Sequence, residues 1–250
     1  MGFLDFCVTI TLQKEKEMTG MFYRYNFWNV LLQMIYTVPA VLIAVSFHEY
    51  AHGYVSDRLG DPTPRNDGRL TLNPLKHLDL YGTLSLLLFH MGWAKPVRVN
   101  TRFYKNRRRD MILVALAGPV GNFLVALLSV FFYGLFMKFT SMYGIFGYLG
   151  RLFYYIAVMN VGLGVFNLIP LPPLDGSVVL GELLSGRADA FYGRIRRYAP
   201  VILIVLLVTG ALSYPLNLLD NAILDGFWNI VKNILRIGYT VSGGSGGTIV

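Results

Sequence analysis

Cysteine is almost absent from this chain: Cys7 stands alone, which excludes an intramolecular disulfide and any cysteine-rich metal site. Charge is scarce as well, with Asp, Glu, Lys and Arg making up 14% of the 250 residues while hydrophobic types reach 54%. Soluble domains carry about 25% charged residues, so the expected solvent is a lipid bilayer. The first 20 residues lack the basic start and small-residue cleavage site of a secretory signal. Asp5 comes early there and Lys14-Glu15-Lys16-Glu17 late, a pattern that suits an interfacial helix. No repeat with a period of roughly 20–50 residues is present, which argues against a solenoid. The net charge of +8 comes without a basic stripe interleaved with aromatics outside the apolar runs, which excludes a nucleic-acid partner.

What the chain has in abundance is long apolar sequence. Residues 27–47, 111–137 and 146–170 each offer about the 20 residues that a helix needs to cross a hydrocarbon core roughly 30 Å thick. Residues 200–212 are shorter and need flanking sequence to cross. The positive charges fall between these runs, in Lys95, Arg98, Arg102, Lys105, Arg107, Arg108 and Arg109, and again in Arg187, Arg194, Arg196 and Arg197. Basic connections stay in the cytoplasm, so both stretches are expected on that side. The apolar run 78–93 is interrupted by Asp79, Gly82, His90 and Gly92 and is too short to span, which predicts a re-entrant segment. Parity agrees, because a full crossing there would separate the ends of the first and third long runs. Whether residues 218–237 cross or lie along the membrane stays open, since Asp220, Asp225, Lys232 and Arg236 interrupt them.

Asn66-Asp67-Gly68 is a turn signal, and Arg69-Leu70-Thr71-Leu72-Asn73 after it alternates as a strand would. Lys95-Pro96-Val97-Arg98-Val99-Asn100 alternates similarly, with Pro96 confining it to an edge. The expected fold is an all-α polytopic membrane protein, a bundle of about 4–6 transmembrane helices with a re-entrant segment and a small β-hairpin or sheet near the cytoplasmic face. Residues 1–241 are expected to form one domain with its core at about 27–200. Residues 242–250, with their Ser-Gly-Gly repeats, read as a linker remnant.

His48-Glu49-Tyr50-Ala51-His52 places two imidazoles at i and i+4 on one helix face, within reach of a single tetrahedral metal. Glu49 sits one step round, where a carboxylate can take a proton from a water on that metal. Packed core histidines are the plain alternative. Two His and a Glu at the end of a membrane helix, where unpaired ionisable groups are costly, argue instead for a functional site. A catalytic zinc takes three protein ligands, and the third has to come from Asp175, Asp57, Glu182, His77 or His90. Asp175 stands out, because Pro170, Pro172 and Pro173 break the helix before it and Gly176 frees the backbone after it. Broken helices at membrane depth are tolerated where they line a cavity.

These motifs and their order resemble the site-2 protease family, the intramembrane zinc metalloproteases. His48 to His52 matches the family's first motif, and Asn167-Leu168-Ile169-Pro170-Leu171-Pro172-Pro173-Leu174-Asp175-Gly176 its second. Ala117-Gly118-Pro119-Val120-Gly121-Asn122 is similar to its middle helix, and Gly92-Trp93-Ala94-Lys95-Pro96-Val97 to a recurrent stretch. The resemblance covers about residues 40–200. It implies one catalytic Zn²⁺ held by His48, His52 and Asp175, with Glu49 as general base and Asn122 and Asn167 lining the site. The expected reaction is hydrolysis of peptide bonds in or near the transmembrane segments of membrane-protein substrates. Asn122 is a candidate oxyanion donor, and Arg69 to Asn73 a candidate edge strand for an unwound substrate. The expected location is a prokaryotic cell membrane, multi-pass, with the active site towards the cytoplasm. The rival reading is a zinc-binding membrane protein without proteolysis, a transporter or an assembly factor, although no repeat of paired broken helices supports transport.

Overall fold

The computed structural model of the protein describes residues 27–77, 95–139 and 144–237. Their regular structure is helical: α1 (Phe27–Arg58), the short α2 (Thr63–Asn66), α3 (Arg107–Phe139), α4 (Gly144–Asn167), α5 (Asp175–Leu183), α6 (Gly186–Val208) and α7 (Ser213–Leu235), with single 3-10 turns at Pro74–Lys76 and Thr101–Phe103. Three helices are long and apolar enough to cross a membrane: α1 from Gln33 onward, α3 and α4. α6 from Phe191 and α7 together offer a fourth crossing, bent by 81° at the break between them. Gly210 in that break has φ +70°, a left-handed conformation glycine accepts without strain. The protein is therefore a polytopic helical membrane protein, with three or four candidate spans among the described residues. Residues 218–237 fall largely in α7, the second limb of this bent pair.

α4 is the central helix, for 72% of its apolar stretch is buried, against 28% for α1 and 33% for α3. One side of it packs Tyr155 and Met159 against Ala40 and Ala44 of α1. Another sets Val158, Val161 and Val165 against Ala126 of α3, Leu203 of α6 and Leu216 of α7. Lipid tails are as apolar as leucine, so close packing rather than water exclusion has to hold these helices together. Small residues supply that closeness: a Cβ on Gly164 would come within 2.8 Å of the Phe123 ring, and one on Gly134 within 2.9 Å of Val231. At the start of α3, Asn106 Oδ1 accepts from the Arg109 N–H and Asp110 Oδ2 from the Asn106 N–H, a reciprocal cap that begins the helix beside its basic residues.

The structure does not confirm the expected sheet. No strand occurs among the described residues, and Arg69-Leu70-Thr71-Leu72-Asn73 is drawn into turns. The Arg69 N–H donates to Pro64 O, the Thr71 N–H to Arg69 O and the Asn73 N–H to Thr71 Oγ1. Lys95 to Asn100 forms no strand either. The alternation in both segments serves a helix instead: Leu70 and Val97 both pack at Gly53 of α1, where a Cβ would meet them at 3.1 and 3.4 Å. The predicted re-entrant run 78–93, the interfacial helix before residue 21 and the linker after residue 241 lie outside the described residues.

Candidate metal centre

The C-terminal end of α1, the N-terminal half of α3 and the loop after α4 meet at one end of the bundle. α1 presents His48 and His52 from one face, as a spacing of four residues requires. Their rings stand edge to face with centroids 4.6 Å apart, and their Nε2 atoms are 3.0 Å apart. α4 stops at Asn167 because Pro170, Pro172 and Pro173 cannot continue it, and the chain turns back to begin α5 at Asp175. Gly176 is required at that return: a Cβ there would lie 2.2 Å from the Leu168 carbonyl oxygen. Asp175 Oδ2 thereby arrives 3.1 Å from His48 Nε2 and 3.2 Å from His52 Nε2.

The far nitrogens of both rings are spoken for. His52 Nδ1 donates to the Val114 carbonyl at 2.7 Å and His48 Nδ1 to Asn122 Oδ1 at 2.6 Å. Each neutral ring then turns a bare Nε2 lone pair inward. Asp175 Oδ2 is a buried oxygen without a hydrogen-bond donor. Three lone pairs facing one another without a proton call for a cation. A tetrahedral zinc with ligands at about 2.0–2.1 Å holds its ligand atoms roughly 3.3 Å apart, close to the 3.0–3.2 Å found here. Gly118 of α3 lies against both rings, where a Cβ would come 2.4 Å from His52 Nε2 and 2.6 Å from His48 Cε1. The donor set fits zinc.

Beside these groups lies a cavity of about 240 Å³, lined by Glu49, Asn167 and a ring of apolar side chains that includes Val97, Val99, Met111, Val114 and Val178. Glu49 points into it, and its Oε2 accepts the backbone N–H of Val97 at 2.9 Å. Asn122 does not face the cavity. It has no exposed surface, and its amide nitrogen donates to Ala44 O at 3.0 Å and to Asn160 Oδ1 at 2.8 Å, so it has no N–H left for an oxyanion. The remaining acidic and imidazole candidates lie elsewhere. Asp57 pairs with Arg65 at 2.6 Å, His77 is buried against Thr71 O at 2.8 Å, Glu182 sits near the end of α5, and His90 is outside the described residues. Arg69 to Asn73 contributes nothing to the cavity wall.

YwhC of Bacillus subtilis (strain 168), provisionally named a zinc metalloprotease, is 37% identical over 209 residues, 81% of this chain and 94% of its own length. The chain belongs to peptidase family M50, the site-2 protease family. The model of Peptidase family M50 itself matches residues 143–210, which hold the motif from Asn167 to Gly176 but not the pair of histidines. Rip2 of Mycolicibacterium smegmatis, also provisionally a zinc metalloprotease, is 30% identical over 185 residues, 72% of this chain and 69% of its own. Rip2 of Mycobacterium tuberculosis (strain H37Rv) is 29% identical over the same shares. No solved structure gives a significant match. This M50 chain is an intramembrane zinc metalloprotease, and zinc is its cofactor. Four groups around its metal centre escaped the motif reading: the Val97 N–H, the Val114 carbonyl, Gly118 and Asn160. Two of the four act through backbone atoms, which residue identity does not disclose. Gly118 and Val97 did lie inside stretches that resemble the family.

Proposed function

We propose that His48, His52 and Asp175 hold the catalytic zinc, that Glu49 is the general base, and that the substrate is a transmembrane protein cut in or beside its membrane segment. The observation that carries this reading is the meeting of three lone-pair donors from two distant segments at 3.0–3.2 Å, one residue from Glu49. Bound zinc supplies Lewis acidity, which makes a water nucleophilic near neutral pH. Glu49 takes up the proton of that water and is held for the task by the Val97 N–H on Oε2, with Oε1 left to work. Asn122 orients His48 instead of meeting an oxyanion. Asn167, which lines the cavity while its amide also donates to Leu163 O at 2.9 Å, is the side chain placed to contact the substrate.

A peptide bond inside a helix is shielded, so the substrate has to unwind before attack and needs new partners for its backbone. Pro96 to Val99 takes the role expected of Arg69 to Asn73. It lines the cavity through Pro96, Val97 and Val99, and among the described residues the N–H groups of Arg98 and Val99 have no acceptor. Strand addition along this edge would supply the missing hydrogen bonds. Val99→Pro, which removes one of those N–H groups, should lower cleavage while zinc stays bound. The basic residues of 95–109 favour a cytoplasmic active site, in a single protease unit over residues 1–241.

The deciding experiment measures zinc content and cleavage of a single-span substrate for the wild type and Glu49→Gln. The variant should keep its zinc and lose about 10²–10⁴-fold in rate. Undiminished turnover would remove Glu49 from its role, and absence of zinc from the wild type would remove the ligand assignment.

A further inference from the structure

Asn160 lies in α4, about two turns before the motif that carries Asp175 begins at Asn167, with no exposed surface. A buried asparagine in a membrane helix has to satisfy two N–H groups and an oxygen, and an apolar residue would do better there if packing were its only duty. Its Nδ2 donates to the Ile156 carbonyl of its own helix at 2.8 Å. A backbone carbonyl can only accept, so this bond sets the sense of the Asn160 amide and turns Oδ1 towards Asn122. Oδ1 in turn accepts from Asn122 Nδ2 at 2.8 Å, and Ala44 O, a second obligate acceptor, takes another N–H of the same amide at 3.0 Å. Both constraints agree. They leave Asn122 Oδ1 facing His48 Nδ1 at 2.6 Å, and an amide oxygen there requires a proton on Nδ1.

We infer that Asn160 is a positioning residue for the metal centre: through Asn122 it fixes the His48 tautomer that leaves Nε2 free to bind zinc. The reversed amide would present an N–H to Nδ1, move the ring proton to Nε2 and block the ligand atom. Ala44 O alone opposes that reversal once Asn160 is gone. Polarity is thus passed across three helices, α4 to α3 to α1, from the carbonyls of Ile156 and Ala44 to one lone pair on His48. His52 needs no such chain, since its Nδ1 meets the Val114 carbonyl directly.

This inference rests on His48 being a zinc ligand, and the test separates the two. Zinc affinity is measured by chelator competition in detergent for the wild type, His48→Ala, Asn160→Leu and Asn160→Asp, together with the melting temperature of each zinc-free protein. Asn160→Leu keeps the size and removes the acceptor, and its affinity should fall by about 10–100-fold, the usual effect of losing an outer-shell partner. Asn160→Asp keeps an oxygen facing Asn122 and, protonated in its buried site, a donor for Ile156 O, so it should recover most of the affinity. Equal weakening in Leu and Asp variants, or a lower melting temperature with unchanged affinity, would overturn the inference and leave Asn160 a packing residue. Unchanged affinity in His48→Ala would overturn the ligand assignment instead. Should Asn160→Leu not fold, ¹⁵N spectra of histidine-labelled wild type decide: His48 is expected with its proton on Nδ1, and a proton on Nε2 in the zinc-free protein would overturn the relay.

Discussion

Gly118 is in the interior of α3 with the His48 and His52 rings laid against it, and its packing makes a sharp test of the proposed centre. Alanine is the better helix former by about 1 kcal/mol, so Gly118→Ala favours the helix locally. A methyl 2.4 Å from His52 Nε2 cannot be accommodated unless that ring moves. The expected result is a helical, well-expressed protein whose zinc affinity and cleavage both fall by more than about 10-fold, the scale of outer-shell damage. Wild-type affinity in that variant would mean that the rings sit elsewhere. The histidines and Glu49 could be picked out from the sequence because all three lie within five residues of one helix, where spacing alone dictates a common region. Gly118 could not be read this way, since its neighbours are more than 60 residues away in the chain.

The segment before α3 is held by the Lys95 N–H on His77 O, the Val97 N–H on Glu49 Oε2 and the Asn100 N–H on Asp61 Oδ2. The Asp61 side chain has no exposed surface and accepts from the Thr63 N–H at 2.9 Å, the Asn100 N–H at 2.7 Å and Ser56 Oγ at 2.8 Å, with Tyr104 OH 2.7 Å from Ser56 Oγ. Burial pushes this carboxyl up, but the donors from Thr63, Asn100 and Ser56 outweigh it and hold Asp61 below its ordinary value of 3.8. A folded pKa below the unfolded one stabilises the protein above pH 3.8, and that stabilisation is lost as pH falls through the folded value. Asp61→Asn turns an N–H towards donors that need an acceptor, which costs about 1–3 kcal/mol. Thermal unfolding of wild type and variant should therefore differ most near pH 7 and converge below pH 4; a gap that stays constant would contradict the assignment. At the other end of the same architecture, Tyr192 of α6 donates from its hydroxyl to Pro170 O at 3.1 Å and Ser177 O at 3.3 Å, on either side of Asp175. Tyr192→Phe leaves those carbonyls without this donor, and zinc affinity should fall several-fold with the helices intact, again by chelator competition.

Across the whole molecule, α1 and α4 end where α3 begins, so the connection from residue 59 to 106 returns to the face it left. The parity reading of the sequence anticipated that arrangement without placing residues 78–93 in a span. Its sidedness can be tested with cysteine chemistry, because Cys7 is the only thiol to remove. In a Cys7→Ser background, Arg102→Cys should react with a membrane-impermeant maleimide only after cells are opened. Ile145→Cys, exposed at the opposite end of α4, should react in intact cells. The reverse pattern would put the metal centre on the outer side. Zinc contributes to the same fold, since binding by the native state alone stabilises by mass action. Stripping it with a chelator should lower the melting temperature of the wild type and leave His48→Ala nearly unaffected.

Composition and short-range spacing were sufficient for the solvent, the long spans, the paired imidazoles with their neighbouring carboxylate, and the proline break that precedes Asp175. Each of these follows from the helix rise, the i to i+4 geometry or the fixed proline ring, which act over a few residues. The folded molecule alone brought Asp175 beside His48 and His52 while leaving Asp57 and His77 in other contacts, set the Asn122 oxygen against His48 with both amide N–H groups engaged elsewhere, and used the strand-like alternation at residues 69–73 and 95–100 to cover α1. Those outcomes depend on hydrogen bonds and packing between segments apart in the chain, such as His48 with Asp175 and Asn122 with Asn160 and Ala44. No local pattern encodes which backbone carbonyl will stand opposite a given amide once the helices close together.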